Sequence, residues 1–208
     1  MRVEFLGTGT STGVPMIGCR CDVCRSKDSR DRRLRSSVCL TVDDKNILID
    51  CGPDFRQQML RSGIDHIDAV LLTHEHYDHT SGLDELRNFS RNNPIPIYAE
   101  PNVLDIIHQR LFYCFSKQPN PGVAHLELKA IENLSPFTLF GIDIEPVRVW
   151  HYRLPIIGYR IGRFAYITDM LTIPDGECAK LSNLDTLVVN ALRHKPHISH
   201  QNLESALT

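Results

Sequence analysis

The sequence has little of what would assign it to a special class. None of its apolar runs approaches the roughly 18 residues of a membrane span, so no membrane partner is expected. Its start, MRVEFLGTGTSTG, holds a short strand-like stretch and lacks the apolar core of a signal peptide. Net charge is nearly absent: 23 Lys and Arg against 25 Asp and Glu leave −2, no field to recruit nucleic acid or anionic lipid. There is no internal repeat, low-complexity tract or linker-like shift in composition. Cysteine is not scarce, yet its count of seven is odd and its placement uneven. A disulfide framework is not expected at 208 residues and 42% hydrophobic content; reduced thiols in the cytoplasm are. What remains is one globular domain over residues 1–208 with a sizeable core.

Local patterns predict an α/β chain. Val3–Leu6 reads as a strand followed by a Gly/Thr/Ser loop, and residues 19–37 as a loop rich in Cys, Arg and Asp. Val38–Val42 and Ile47–Asp50 flank a polar hairpin signal at Asp43–Asn46. Asp54–Ser62 has helical composition and stops at Gly63, a C-cap signal. Ala69–Thr73 reads as a buried strand, with helices at Gly82–Phe89 and Asn102–Phe115. Ile142–Trp150 alternates as a strand, and Gly158–Ile161 with Phe164–Thr168 forms a hairpin. Leu184–Val189 is a further strand, and Gln201–Leu207 begins a helix. Strands, interspersed helices and strands again give an α/β sandwich pattern.

The segment Thr73-His74-Glu75-His76-Tyr77-Asp78-His79 carries the chemistry. In an extended segment, His74 and His76 at i, i+2 project the same way and can grip one ion. A turn after His76 can aim Asp78 and His79 at a second ion. Imidazole with carboxylate suits zinc, manganese or iron. A solvated loop that happens to be rich in His and Asp is the bland alternative. Three histidines and a carboxylate directly after a buried strand weigh against it. Further ligands belong at other strand ends, where His151 and Asp169 stand. Taken singly, His151 could be a surface histidine and Asp169 a turn residue.

His-x-His-x-Asp-His after an apolar strand, with a distant His and a distant Asp, resembles the metallo-β-lactamase superfamily. The resemblance runs from residue 3 to residue 200 and implies an αββα sandwich with a dinuclear site at one edge. It assigns His74, His76 and His151 to one divalent ion, zinc or manganese, and Asp78 and His79 to a second, with Asp169 bridging. Phe5-Leu6-Gly7-Thr8-Gly9-Thr10-Ser11-Thr12-Gly13, followed by Gly18-Cys19-Arg20-Cys21-Asp22-Val23-Cys24, is similar to the PhnP-type phosphodiesterases, which hydrolyse phosphoribosyl 1,2-cyclic phosphate. That likeness implies a structural zinc on Cys19, Cys21 and Cys24 and makes His200 the proton donor to the leaving group, with His197 its nearest competitor. The family's late Thr-His-x-x-His segment has no counterpart here. The expectation is therefore a fold lacking its last strand and helix, with the cysteine site short of its fourth ligand.

The expected function is metal-dependent hydrolysis of a small phosphodiester, cyclic ones included, with a homodimer as the candidate assembly. A tRNA 3′-processing nuclease shares the motif and an Asp-Cys-Gly element like Asp50-Cys51-Gly52, but no long basic arm is present to grip tRNA. Lactam and thioester hydrolysis use the same metal chemistry, and a metal-binding module without turnover is the alternative from another class. The loop Arg20–Arg35 carries a local excess of guanidinium groups that could select phosphate or simply brace the loop. His66, His108, His125 and His194 read as surface or packing residues.

Overall fold

The protein is described by a computed structural model covering residues 1–116 and 120–208, which group into two compact units, Met1–Ala130 and Ile131–Thr208. The first unit contains β1 (Arg2–Gly7), α1 (Asp22–Arg25), β2 (Ser37–Val42), β3 (Lys45–Ile49), α2 (Phe55–Ser62), β4 (Ala69–Leu71), α3 (Tyr77–Thr80), β5 (Ile95–Ala99), α4 (Pro101–Arg110) and β6 (Leu126–Ala130). Its strands form one sheet in the order β1-β2-β3-β4-β5-β6. The first three are antiparallel neighbours, and β3 to β6 run parallel.

The hairpin signal is realised by Asp43 and Asp44, whose φ values of 44° and 63° give the two-residue left-handed turn that matches strand twist. From β3 onward, the crossovers carry helices over one face of the sheet. Phe55 and Met59 of α2 and Val103, Leu104 and Ile107 of α4 pack with Cys39, Leu48, Val70 and Ile97 in one buried cluster. Each of the Phe, Met, Val, Leu and Ile side chains among them contributes about 1.5–3 kcal/mol. The alternate residues Val38, Leu40, Ile47, Ile49, Ala69 and Leu71 are fully buried as well. These strands therefore read as near-continuous apolar runs.

The second unit contains β7 (Phe137–Leu139), β8 (Ile142–His151), β9 (Leu154–Ile161), β10 (Phe164–Ile167), α5 (Asp175–Cys178), β11 (Thr186–Val189) and α6 (Leu203–Ala206). They make a sheet in the order β11-β10-β9-β8-β7, antiparallel except for β10 with β11. Val147, Val149, Ile156, Ile167 and Met170 form its buried cluster.

Several elements differ from expectation, each for a local reason. Gly82–Phe89 is a 3₁₀ helix over Leu83–Asn88, and the helix expected over Asn102–Phe115 breaks at Leu111 into α4 and a 3₁₀ turn at Phe112–Phe115. β5, β6 and β7 are strands that the sequence pattern does not predict: Pro96 interrupts Ile-Pro-Ile-Tyr, Leu126–Ala130 is half polar and Phe137–Leu139 is only three residues long. The last helix is one turn, Leu203–Ala206, capped by Asn202: its side chain accepts from Ser205 N at 3.0 Å while Ser205 Oγ accepts from Asn202 N at 3.1 Å. Among the described residues, no helix is long and apolar enough to cross a membrane.

Candidate metal centre

In the first unit the ligand segment leaves the sheet at the end of β4. Leu72 still donates its N–H to Tyr98 O at 2.9 Å, and the chain then turns through Thr73 and His74 into α3. Beside it, β3 ends and Asp50 takes a left-handed conformation, φ 61°, that turns its carboxylate under the segment. Asp50 is fully buried and accepts three kinds of donor: Thr73 N at 2.9 Å, the Thr73 hydroxyl at 2.9 Å, and His79 Nδ1 at 2.7 Å. Burial pushes its carboxyl above the usual range, and the contacts from His79 and Thr73 act in the opposite direction.

This arrangement sets the imidazole tautomers. The Thr73 hydroxyl gives its one proton to Asp50, so at 2.9 Å from His74 Nδ1 it must accept, which places a proton on that nitrogen. His79 likewise donates from Nδ1 to Asp50. Both rings are left with Nε2 as the lone-pair face, one of the two ways in which a neutral imidazole can ligate a metal. His74 Nε2 lies 3.0 Å from His76 Nδ1, and His79 Nε2 lies 3.2 Å from Asp78 Oδ2. Donors on a tetrahedral zinc at Zn–N of about 2.0–2.1 Å stand roughly 3.3 Å apart, so each pair has the span of two ligands on one ion.

The loop is braced from three sides. Cys51 N donates to His79 O at 2.7 Å, and the Thr80 hydroxyl to His76 O at 2.9 Å. Arg110 of α4 donates to Glu75 O at 2.6 Å. A Cβ on Gly52 would sit 2.0 Å from Asp78 O, so only glycine lets the two loops meet.

The second unit gathers the remaining expected residues. His151 is the last residue of β8 rather than the first after it, because the β8–β9 ladder extends to the pair His151–Leu154. Its Nδ1 donates to Ser199 O at 2.8 Å, again freeing Nε2. Asp169 follows β10 in a left-handed conformation, φ 53°. Asn190 clamps the next residue, accepting from Met170 N at 2.8 Å and donating to Met170 O at 2.9 Å. His200 Nδ1 is 3.7 Å from Asp169 Oδ1, and its ring centroid lies 4.5 Å from that of His151 and 5.1 Å from that of His197. His66 instead bonds Asp65 at 2.7 Å, and His108 stacks on Phe115, in keeping with surface and packing roles.

The Sγ atoms of Cys19, Cys21 and Cys24 lie within 4.8 Å of one another around the start of α1. Three thiolates on one zinc at Zn–S of about 2.3 Å stand roughly 3.8 Å apart, so this turn also fits an ion, with one ligand beyond the three still needed. Much of the guanidinium excess that follows is used internally: Arg30 pairs with Asp28 at 2.6 Å and Arg35 with Asp54 at 2.8 Å. Sequence reasoning missed Thr73, Asn190 and Ser199. Asp50 belongs to the Asp50-Cys51-Gly52 element, and only the structure gives it a role, as acceptor for Thr73 and His79.

The sequence model of the β-lactamase superfamily domain matches residues 45–208. The chain belongs to this family. The crystal structure of a new diphosphatase from the PhnP family superposes with a TM-score of 0.91 at 42% identity, covering 99% of this chain and 79% of that one. The zinc-bound PqqB of Methylobacterium extorquens superposes with a TM-score of 0.76 at 25% identity, over 94% of this chain and 74% of that one. An octanoyltransferase of Porphyromonas gingivalis is 51% identical over the whole of this chain, which spans only 42% of that relative's length. The expected family, the two-sheet α/β fold and a divalent-metal hydrolase framework are thus all present.

Proposed function

We propose that the chain is a metal-dependent phosphodiesterase of small substrates in which the ligand sets of both units act together as one hydrolase domain. The observation that carries the substrate class is the 42% identity, over 99% of the chain, to a PhnP-family diphosphatase. In this proposal His74, His76 and His151 would hold one ion and Asp78 and His79 a second, with Asp169 contributing its carboxylate to the pair. Bound divalent ions supply a water of lowered pKa and neutralise charge on the phosphoryl oxygens. The chain's own part is to fix tautomers. Asp50, Thr73 and Ser199 hold the Nδ1 protons of His79, His74 and His151, so each Nε2 meets the ion without reorganising. His200, beside Asp169, protonates the departing alkoxide. Cys19, Cys21 and Cys24 hold a structural zinc, and neither nucleic acid nor a membrane is needed as partner. Assembly as a homodimer remains part of the proposal.

The leaving group separates these roles. His200→Ala should slow an alkyl diester about 10²-fold or more. It should leave bis(4-nitrophenyl) phosphate nearly unaffected, because nitrophenolate departs without a proton. Equal losses on both substrates would remove His200 from the donor role. Thioester hydrolysis, which uses the same metal chemistry, is the second reading; the octanoyltransferase name belongs to a relative of whose length this chain spans only 42%. An octanoyl thioester assayed beside the diesters decides between them.

A further inference from the structure

The first unit contains a cavity of about 300 Å³ that the metal-ligand segment does not line. Glu4 and Phe5 of β1, Thr8, Arg32, Arg33 and Arg61 surround it. Its wall is a backbone-to-backbone crossing: a Cβ on Gly7 would lie 1.9 Å from Arg35 O, so the end of β1 and residues 33–35 meet as closely as two chains can. Arg33 is fixed at its backbone from both sides, accepting from Val14 N at 2.9 Å and donating to Val14 O at 2.8 Å. Gly9 N holds the next residue through Leu34 O at 2.8 Å. The Arg33 side chain therefore springs from a rigid support.

The charges at this cavity are not spent as they are elsewhere in the loop. Arg30 and Arg35 are paired with carboxylates, whereas Arg61 uses one donor on Leu6 O and Arg32 one on Ser26 O at 3.1 Å. Each guanidinium offers five N–H donors, so most remain for a ligand. Among the described residues, the Arg33 side chain makes no hydrogen bond or ion pair; its only bonds are the two backbone ones to Val14. The one carboxylate present, on Glu4, lies 3.7 Å from Arg2 and is partly offset by it. Phe5, 46% exposed, adds an aromatic face, and Thr8 a hydroxyl. Convergent guanidinium groups recognise phosphate oxygens bidentately, and an aromatic face takes a planar ring. The volume suits one small ligand and not an oligomer.

We propose that this cavity is a binding site for a nucleoside-monophosphate-like ligand, its phosphate on Arg32, Arg33 and Arg61 and its ring on Phe5. The site is independent of the metal chemistry and would exist even if the chain cleaved no phosphodiester. The test is a titration of the metal-loaded chain with AMP, inorganic phosphate and adenosine, followed by amide NMR. AMP should shift the amides of Thr8 and Leu34 saturably, and more tightly than phosphate or adenosine. Arg33→Ala should weaken this about tenfold and Arg33→Glu abolish it, while Arg33→Lys retains most of it. Binding at the metal ligands would appear separately, at His74–His79, and would survive Arg33→Glu. Unchanged AMP affinity in Arg33→Glu, shifts confined to His74–His79, or adenosine or phosphate binding as tightly as AMP would overturn the assignment.

Discussion

Asp50 touches no candidate metal donor atom facing the ion, yet it sets two of the imidazoles that do. It holds His79 directly and His74 through the Thr73 hydroxyl. Asp50→Asn replaces an acceptor-only group with an amide that cannot accept all of these protons. Metal affinity should fall about 10- to 100-fold, read by chelator competition, with far-ultraviolet circular dichroism unchanged. Undiminished affinity would make Asp50 merely structural. The ligand motif was legible because its four groups are neighbours in sequence. Asp50 was not, because it reaches Thr73 across 23 residues and only strand pairing brings them together. The thiols give a second prediction at this scale. Burial pushes Cys39 up to about 12 and Cys51 well above its ordinary value, whereas Cys178 is exposed. At pH 8 an alkylating reagent should modify Cys178 and leave Cys39 and Cys51 untouched until the chain unfolds, as peptide mass mapping would show.

The elements matter through how closely their ends approach. Gly52 follows β3 and abuts the loop that carries Asp78, and backbone, not a flexible side chain, fills the space its Cβ would occupy. Gly52→Ala should therefore lower the melting temperature and remove bound metal together. Gly176→Ala in α5 meets nothing within 4 Å and should do neither. Retained metal in Gly52→Ala would mean that this contact does not position the ligands. Strands were legible where apolar residues ran together, as in β2 and β3, or alternated with polar ones, as in β8. β5 was hidden because Pro96 divides a run of only five residues, whereas the ten-residue β8 keeps its alternation around Pro146. α4 starts at Pro101, one residue before the expected Asn102, but the break at Leu111 left no sequence signal.

For the whole molecule, the ligand motif and the N-terminal pattern together carried the family, because each depends on short spacings that survive without knowledge of the fold. How widely separated residues such as His151, Asp169 and His200 serve the chemistry depends on tertiary placement, and no local pattern encodes that. The central claim, metal-dependent hydrolysis of phosphodiesters, is tested most directly by one comparison. The zinc- or manganese-loaded chain is assayed on bis(4-nitrophenyl) phosphate and on 4-nitrophenyl phosphate, before and after chelation. The diester should be cleaved at least about 10²-fold faster than the monoester, and chelation should abolish the activity and re-addition of metal restore it. Equal rates on the two esters, or diester cleavage that persists through chelation, would contradict the proposal.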